Sequence, residues 1–164
     1  MRVITVILFV LNYSICSLGL ANESHCTSDE MTIFNCHIGK KIVSVCAKGN
    51  FKSLGYLQYR YGPNNSPELV LPKSKIFSLT NIKANTLSFS GGGGAYIRFQ
   101  KDRYSYVVYT AIGKGWGQKA GIAVEKNNKL QINLPCKDKE ISELGPDFFD
   151  QAGLERDQMG FELP

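Results

Sequence analysis

Short runs of alternating apolar and polar residues, separated by turn residues, occupy most of the chain between positions 30 and 135. A period of two in runs rich in Val, Ile, Tyr and Phe is typical of antiparallel β-strands. Because short links join the neighbouring runs, we expect an all-β domain, a small antiparallel barrel or curled meander of eight to nine strands. The predicted strands cover residues 32–37, 41–47, 56–61, 68–71, 85–90, 95–101, 104–112, 120–126 and 129–134.

The last stretch, residues 137–164, breaks this alternation. Its apolar residues fall at helix-like spacings, and Pro146 suits the first turn of a short helix that continues to about Ala152. Asp147 then lies near the positive end of that helix. We expect the helix to pack on an end of the barrel and residues 160–164 to fray.

Residues 1–21 have the pattern of an export signal. Arg2 supplies a positive start, residues 3–11 are mostly apolar, and Gly19-Leu20-Ala21 forms a small-x-small cleavage site. The apolar run is too short to span a bilayer, so no membrane span is predicted. The sequence predicts a periplasmic or secreted protein with a β-domain at 22–136 and an acidic helix and tail at 137–164.

Four cysteines follow the predicted signal: Cys26, Cys36, Cys46 and Cys136. An even number in an oxidising compartment favours two disulfides, and the wide spacings do not suit a zinc site. If residues 39–40 form a hairpin turn, Cys36 and Cys46 lie on opposite faces of the sheet, which disfavours that pairing. We expect Cys36 to pair with Cys136 and Cys26 to pair with Cys46.

Charge is distributed unevenly along the chain. Residues 22–136 carry fifteen Lys and Arg against six Asp and Glu, whereas residues 137–164 carry three against eight. Two interpretations stay open: the basic surface keeps an exported protein soluble, or it meets an anionic glycan, a lipid headgroup or an acidic protein cleft. A nucleic-acid partner is disfavoured, because no recognition helix is evident.

The sequence contains no recognisable enzyme signature. His25 and His37 are the only histidines, and neither has a nucleophile in a known context. The glycine run at 91–94 lacks the Gly-Lys-Ser/Thr ending of a nucleotide loop. We therefore predict a non-enzymatic protein with no catalytic residue, no metal site and no cofactor.

Two glycine-rich segments, residues 90–96 and 113–119, each follow a predicted strand. The strands between them run away and return, so both segments are expected side by side at one end of the barrel. Such a surface, with an aromatic ring and cations among glycines, is typical of a protein-binding hot spot. The alternative is that the glycines are bulges and Trp116 folds back onto the core. The candidate partner-binding residues are Ser90, Gly93, Gly94, Tyr96, Lys114, Trp116 and Lys119.

Several short motifs carry a family resemblance. They are Phe34-Asn35-Cys36, Gly94-Ala95-Tyr96, the aromatic strand from Tyr106 to Thr110, Lys114-Gly115 and the closing Cys136. In these motifs the chain resembles the membrane-bound and periplasmic C-type lysozyme inhibitors. It also looks like an uncharacterised group of exported proteobacterial proteins, a similarity that implies no activity.

The resemblance to the inhibitors implies a small exported bacterial β-barrel whose two loops enter the active cleft of a lysozyme. Lys114 takes the position of the inserted lysine, and Ser90 is the serine that lies nearest to the family's second inserted residue. The alternative function is an envelope or immunity protein that binds another protein or an anionic glycan through its basic face. Both hypotheses describe a binding protein rather than an enzyme.

Overall fold

A computed structural model describes residues 23–49, 55–75 and 78–164 of the 164-residue chain. The predicted export signal at 1–21 lies outside these ranges. The described residues form eleven strands and one helix. They are β1 Met31–Ile38, β2 Lys41–Lys48, β3 Tyr56–Gly62, β4 Leu69–Leu71, β5 Ile82–Phe89, β6 Gly92–Lys101, β7 Tyr104–Gly113, β8 Gly117–Lys126, β9 Lys129–Pro135, β10 Ile141–Ser142, α1 Pro146–Ala152 and β11 Glu155–Arg156.

The strands form two sheets. Sheet A has the order β10-β1-β2-β3-β4, and sheet B has the order β11-β5-β6-β7-β8-β9. All pairings are antiparallel except that of β11 with β5. All nine predicted strands are present, and the all-β class with a short C-terminal helix is confirmed.

The closed barrel does not form. Consecutive strands pair from β1 to β4 and again from β5 to β9, but β4 and β5 do not pair with each other. The connection between these two strands moves the chain from one sheet to the other. Each half is therefore a meander, and the two meanders face each other across a shared core.

The core lies between the facing sides of the two sheets. The Tyr59 ring of sheet A lies 5.6 Å from the Phe99 ring and 5.7 Å from the Tyr106 ring of sheet B. Phe148 and Phe149 of α1 pack into the same cluster. Because burial of each large apolar side chain contributes about 1.5–3 kcal/mol, this interface holds the sheets together.

Both predicted disulfides are present. Cys26 bonds to Cys46, and Cys36 bonds to Cys136 across a sequence separation of 100 residues. The second bond connects β1 of sheet A with the residue that follows β9 of sheet B. Closing so long a loop contributes about 4–5 kcal/mol in the chain-entropy model. Two disulfides fit an oxidising compartment.

The outer faces of the two sheets are covered by segments at opposite ends of the described chain. Residues 23–30, which we call the arm, lie on sheet A, and residues 157–164, which we call the strap, lie on sheet B. Beyond residue 136 the chain adds β10 to sheet A and β11 to sheet B. The expected fraying at 160–164 is wrong, because the Phe161 ring packs on the sheet. Within the described ranges no helix is long and apolar enough to cross a bilayer.

Candidate functional site

Two hairpin turns meet at one end of sheet B. The β5–β6 turn contains Ser90 and Gly91, and the β7–β8 turn runs from Lys114 to Trp116. The backbone N–H of Lys114 donates to the carbonyl of Gly91 at 2.8 Å, which joins the two turns. The predicted adjacency is confirmed. We call the surface formed by Phe89, Ser90, Lys114, Trp116 and Lys119 the tip surface.

The tetraglycine run is mostly strand and not loop. Only Gly91 lies in the turn, with a φ of 76°, whereas β6 begins at Gly92. A Cβ on Gly92 would lie 2.2 Å from a backbone oxygen of β7, and one on Gly94 would lie 2.4 Å from another. Gly93 is paired with both neighbouring strands. The expectation that Gly93 and Gly94 form a loop is therefore corrected: these glycines allow close packing beneath the tip.

Trp116 folds back onto the outer face of sheet B and stays partly exposed. Its indole occupies the space above Gly113, where a Cβ would lie 2.2 Å from two ring carbons. The Phe89 ring lies 5.7 Å away, and 40% of the Trp116 surface is accessible. The two interpretations of Trp116, an exposed binding residue and a ring folded back onto the domain, are thus each partly correct. The ring is held in place by the sheet, and it remains available for contact.

The two lysines of the tip differ in their surroundings. Lys114 is exposed and makes no salt bridge with any residue in the described ranges. The Lys119 ammonium lies 5.2 Å from the centre of the Trp116 ring and donates to the Pro164 oxygen at 2.9 Å. Lys114 is therefore the cation of the tip that can meet an external carboxylate without first losing a partner.

Tyr96 does not belong to the tip surface. Its side chain is 1% exposed and lies under Phe161, and its hydroxyl donates to the Asp157 carboxylate at 3.1 Å. Burial, together with the nearby Asp157 charge, raises the pKa of Tyr96 to about 12. The alternation of β6 puts this ring on the outer face, but the strap covers that face, so the predicted role in partner binding does not fit its position.

Ile112, which the sequence interpretation missed, lies next to the tip surface but on the opposite face of sheet B. Its side chain is 64% exposed, although it shares a face of β7 with the core residue Val108. Sheet A therefore does not cover this end of sheet B. The alternating pattern gives the face of each strand, but it cannot show where the opposite sheet stops.

One group of potential metal ligands occurs among the described residues. The side-chain ligand atoms of Cys26, Cys46 and Glu30 lie within 4.8 Å of one another. Both sulfurs are consumed by a disulfide, and the Glu30 carboxylate accepts hydrogen bonds from Arg60. This arrangement is a structural anchor with no sulfur left to coordinate an ion.

The tip thus combines a partly exposed indole, an ammonium without a salt bridge to the described part of the chain, and two turns joined by a hydrogen bond. Comparison of the chain with protein-family models, with curated proteins and with solved structures gave no match.

Proposed function

We propose that the protein is a non-enzymatic binding protein that inserts the tip surface into an acidic cleft of a protein partner. The observation that supports this most is the hydrogen bond between the Lys114 amide and Gly91, which joins the two turns beside Trp116. Because this bond holds the turns together, the exposed Lys114 ammonium and the partly exposed Trp116 indole lie on one small surface.

The physical case rests on desolvation and rigidity. An ammonium that enters a groove with carboxylates gains more than it does on open surface, because the groove excludes water. Aromatic residues are frequent hot spots of protein interfaces, and Trp116 is already seated on Gly113. A tip whose two turns are joined by a hydrogen bond loses little conformational entropy when it binds.

The family resemblance makes a C-type lysozyme the first partner to test. Its catalytic cleft contains two carboxylic residues, a suitable target for an inserted lysine. Lys114, at the position of the inserted lysine, and Ser90, the nearest serine to the second inserted residue, lie on turns that a hydrogen bond joins, and both side chains are exposed. Export through residues 1–21 would bring the protein to a compartment where lysozyme acts.

The test compares two lysine variants of the mature protein. Lys114→Ala is expected to weaken inhibition and binding of lysozyme by roughly tenfold or more, because it removes the inserted charge. Lys101→Ala is the matched control. It removes an equal charge from an exposed position at the opposite end of β6, and we expect little change.

Two outcomes would contradict the proposal in different ways. If wild-type protein leaves lysozyme activity unchanged, lysozyme is not the partner. If both variants weaken binding equally and high salt abolishes it, the contact depends on diffuse charge and the anionic-glycan hypothesis is favoured. Binding by calorimetry at low and high salt distinguishes these cases.

A further inference from the structure

The outer face of sheet B has an apolar cluster of its own. Tyr96, Val107, Tyr109 and Ala123 are buried there, apart from the core between the sheets. The strap covers them with the Phe161 ring, whose centre lies 5.1 Å from that of Tyr96 and 5.6 Å from that of Tyr109. A non-strand segment is thus seated on an aromatic platform of the sheet.

A buried arginine fixes the position of the strap on this platform. The side chain of Arg98 is 1% exposed, and its Nε donates to the Asp157 carboxylate at 2.7 Å. Its Nη2 donates to the carbonyl of Gly160 at 2.7 Å. Removing one partner of a buried ion pair is strongly destabilising, so these two bonds fix Asp157 and Gly160 of the strap against Arg98. The strap is therefore recognised at defined positions: a carboxylate at 157 and an aromatic ring four residues later.

The platform stays electrostatically compensated when the strap is removed. Arg98 also donates, through Nη1, to Glu125 of β8, so its guanidinium keeps one carboxylate from the sheet itself. The Tyr109 hydroxyl donates to Asn133 of β9 at 2.8 Å. A buried charge left without any partner is strongly destabilising, and this face avoids that cost.

The strap also leaves part of the groove unfilled. A cavity of about 620 Å³ lies beside it, with Arg98 and Glu125 among its lining residues. Leu130 of β9 and Met159 of the strap line the same cavity, and they are 51% and 44% exposed. A ligand with a larger apolar side chain at the position of Met159 would bury more of this surface than the strap does.

We propose that the outer face of sheet B is a peptide-recognition groove that the strap occupies as a displaceable internal ligand. The external ligand is an extended segment of a partner protein. It carries a carboxylate for Arg98, an aromatic residue four positions later for the Tyr96–Tyr109 platform, and a bulky apolar residue between them. Its negative charge complements the net charge of +9 on residues 22–136. This site is separate from the tip surface.

The experiment uses labelled peptides with the sequence of residues 154–164, measured by fluorescence anisotropy against the full chain. A variant that we call the released protein carries Asp157→Asn and Phe161→Ala, which remove the strap's carboxylate for Arg98 and its ring on the platform. The matched control carries Asp150→Asn, which removes an exposed carboxylate of α1 that does not line the cavity. We expect the released protein to bind the peptide about tenfold or more tightly than wild type and the control, because its internal competitor is weakened.

The peptides themselves test the recognition rule. A peptide with Met159→Phe is expected to bind the released protein more tightly than the parent peptide, and one with Asp157→Asn roughly tenfold more weakly. Circular dichroism of the aromatic bands establishes that the released protein is folded. The proposal is overturned if the folded, released protein binds no peptide, or if the Asp157→Asn peptide binds as well as the parent.

The same measurements separate a partner protein from a second copy of this chain. If wild-type protein forms dimers at high concentration and the peptide dissociates them, the strap exchanges between copies. That result would overturn the assignment of a separate partner. A wild-type protein that stays monomeric while the released protein binds the peptide supports it.

Discussion

The arm and the strap are attached to their sheets in different ways. Each covers the outer face of one sheet, and each brings a carboxylate to a buried arginine: Glu30 to Arg60 on sheet A, and Asp157 to Arg98 on sheet B. The arm is also joined to its sheet by the Cys26–Cys46 disulfide. The strap is held by non-covalent contacts.

The two arginines differ in what remains if the covering segment leaves. Arg60 donates to both oxygens of Glu30, at 2.7 and 2.5 Å, and its other bonds go to Gln58 and the carbonyl of His25. Burial tends to raise the pKa of Glu30, but the hydrogen bonds from Arg60 and Tyr56 outweigh it and lower that pKa. Arg98, by contrast, shares its charge between Asp157 and Glu125. The arm is thus integral to its sheet, whereas the strap can be replaced.

The largest effect is expected for Glu30→Gln. Because the Glu30 side chain is fully buried and Arg60 would lose its carboxylate, the free energy of unfolding should fall by about 3–5 kcal/mol. Urea denaturation monitored by fluorescence measures this change. The neighbouring Asp29→Asn is the control, since Asp29 pairs with Lys48 on the surface and little change is expected. A Glu30→Gln protein as stable as wild type would contradict the structural role of the arm.

A smaller effect is expected for Asp157→Asn. Arg98 keeps Glu125, so the loss should be about 1.5–3 kcal/mol, the range typical of hydrogen bonds to a charged group. The strap should also become more sensitive to limited proteolysis, while Asp150→Asn in α1 should leave both properties close to wild type. Equal losses for Glu30→Gln and Asp157→Asn would remove the distinction between arm and strap.

The smallest effect concerns the start of the arm, where His37 lies between two carboxylates. Its Nδ1 is 2.6 Å from Asp138, and its Nε2 is 3.4 Å from Glu23. The hydrogen bond with Asp138 raises the pKa of His37 above 6.5 despite partial burial. Burial tends to raise the pKa of Asp138, but the bond with His37 outweighs it and lowers that pKa below 3.8.

The sign of the pH dependence follows from these directions. The His37 contribution is present below its unfolded pKa and is lost as pH rises through the raised folded value, whereas that of Asp138 is lost as pH falls below about 4. We expect His37→Gln to reduce stability at pH 5 but not at pH 9, by at most about 1 kcal/mol because the pair is partly exposed. Unfolding of both proteins across this pH range measures the difference. An equal loss at both pH values would indicate a packing effect and not an ionic one.

Local sequence signals predicted the strands and the disulfides but not the division into two sheets. Alternation identifies the face of each strand, and the parity of Cys36 and Cys46 correctly disfavoured their pairing. Nothing in the alternation distinguishes the β3–β4 link, which stays within a sheet, from the β4–β5 link, which changes sheets. Of the two predicted topologies, a barrel and a curled meander, the closed barrel fails at that single connection.

The buried charges were also invisible in the sequence. Arg98 occupies an outward position of β6 that reads as solvent-exposed, and its partner Asp157 lies 59 residues away in a segment expected to be peripheral. The same segment covers Tyr96, which the sequence assigned to a binding surface. The tip was predictable because its two turns follow directly from adjacent strands, whereas the strap position depends on contacts distant in the chain.

The Cys36–Cys136 bond determines what a single proteolytic cut does to the molecule. It joins the first strand to the residue that follows β9, so every hairpin turn of the two meanders lies inside one covalent ring. A single cut in any of these turns opens the ring without releasing a fragment. A nicked molecule therefore retains both halves, and they can remain assembled and continue to display the tip.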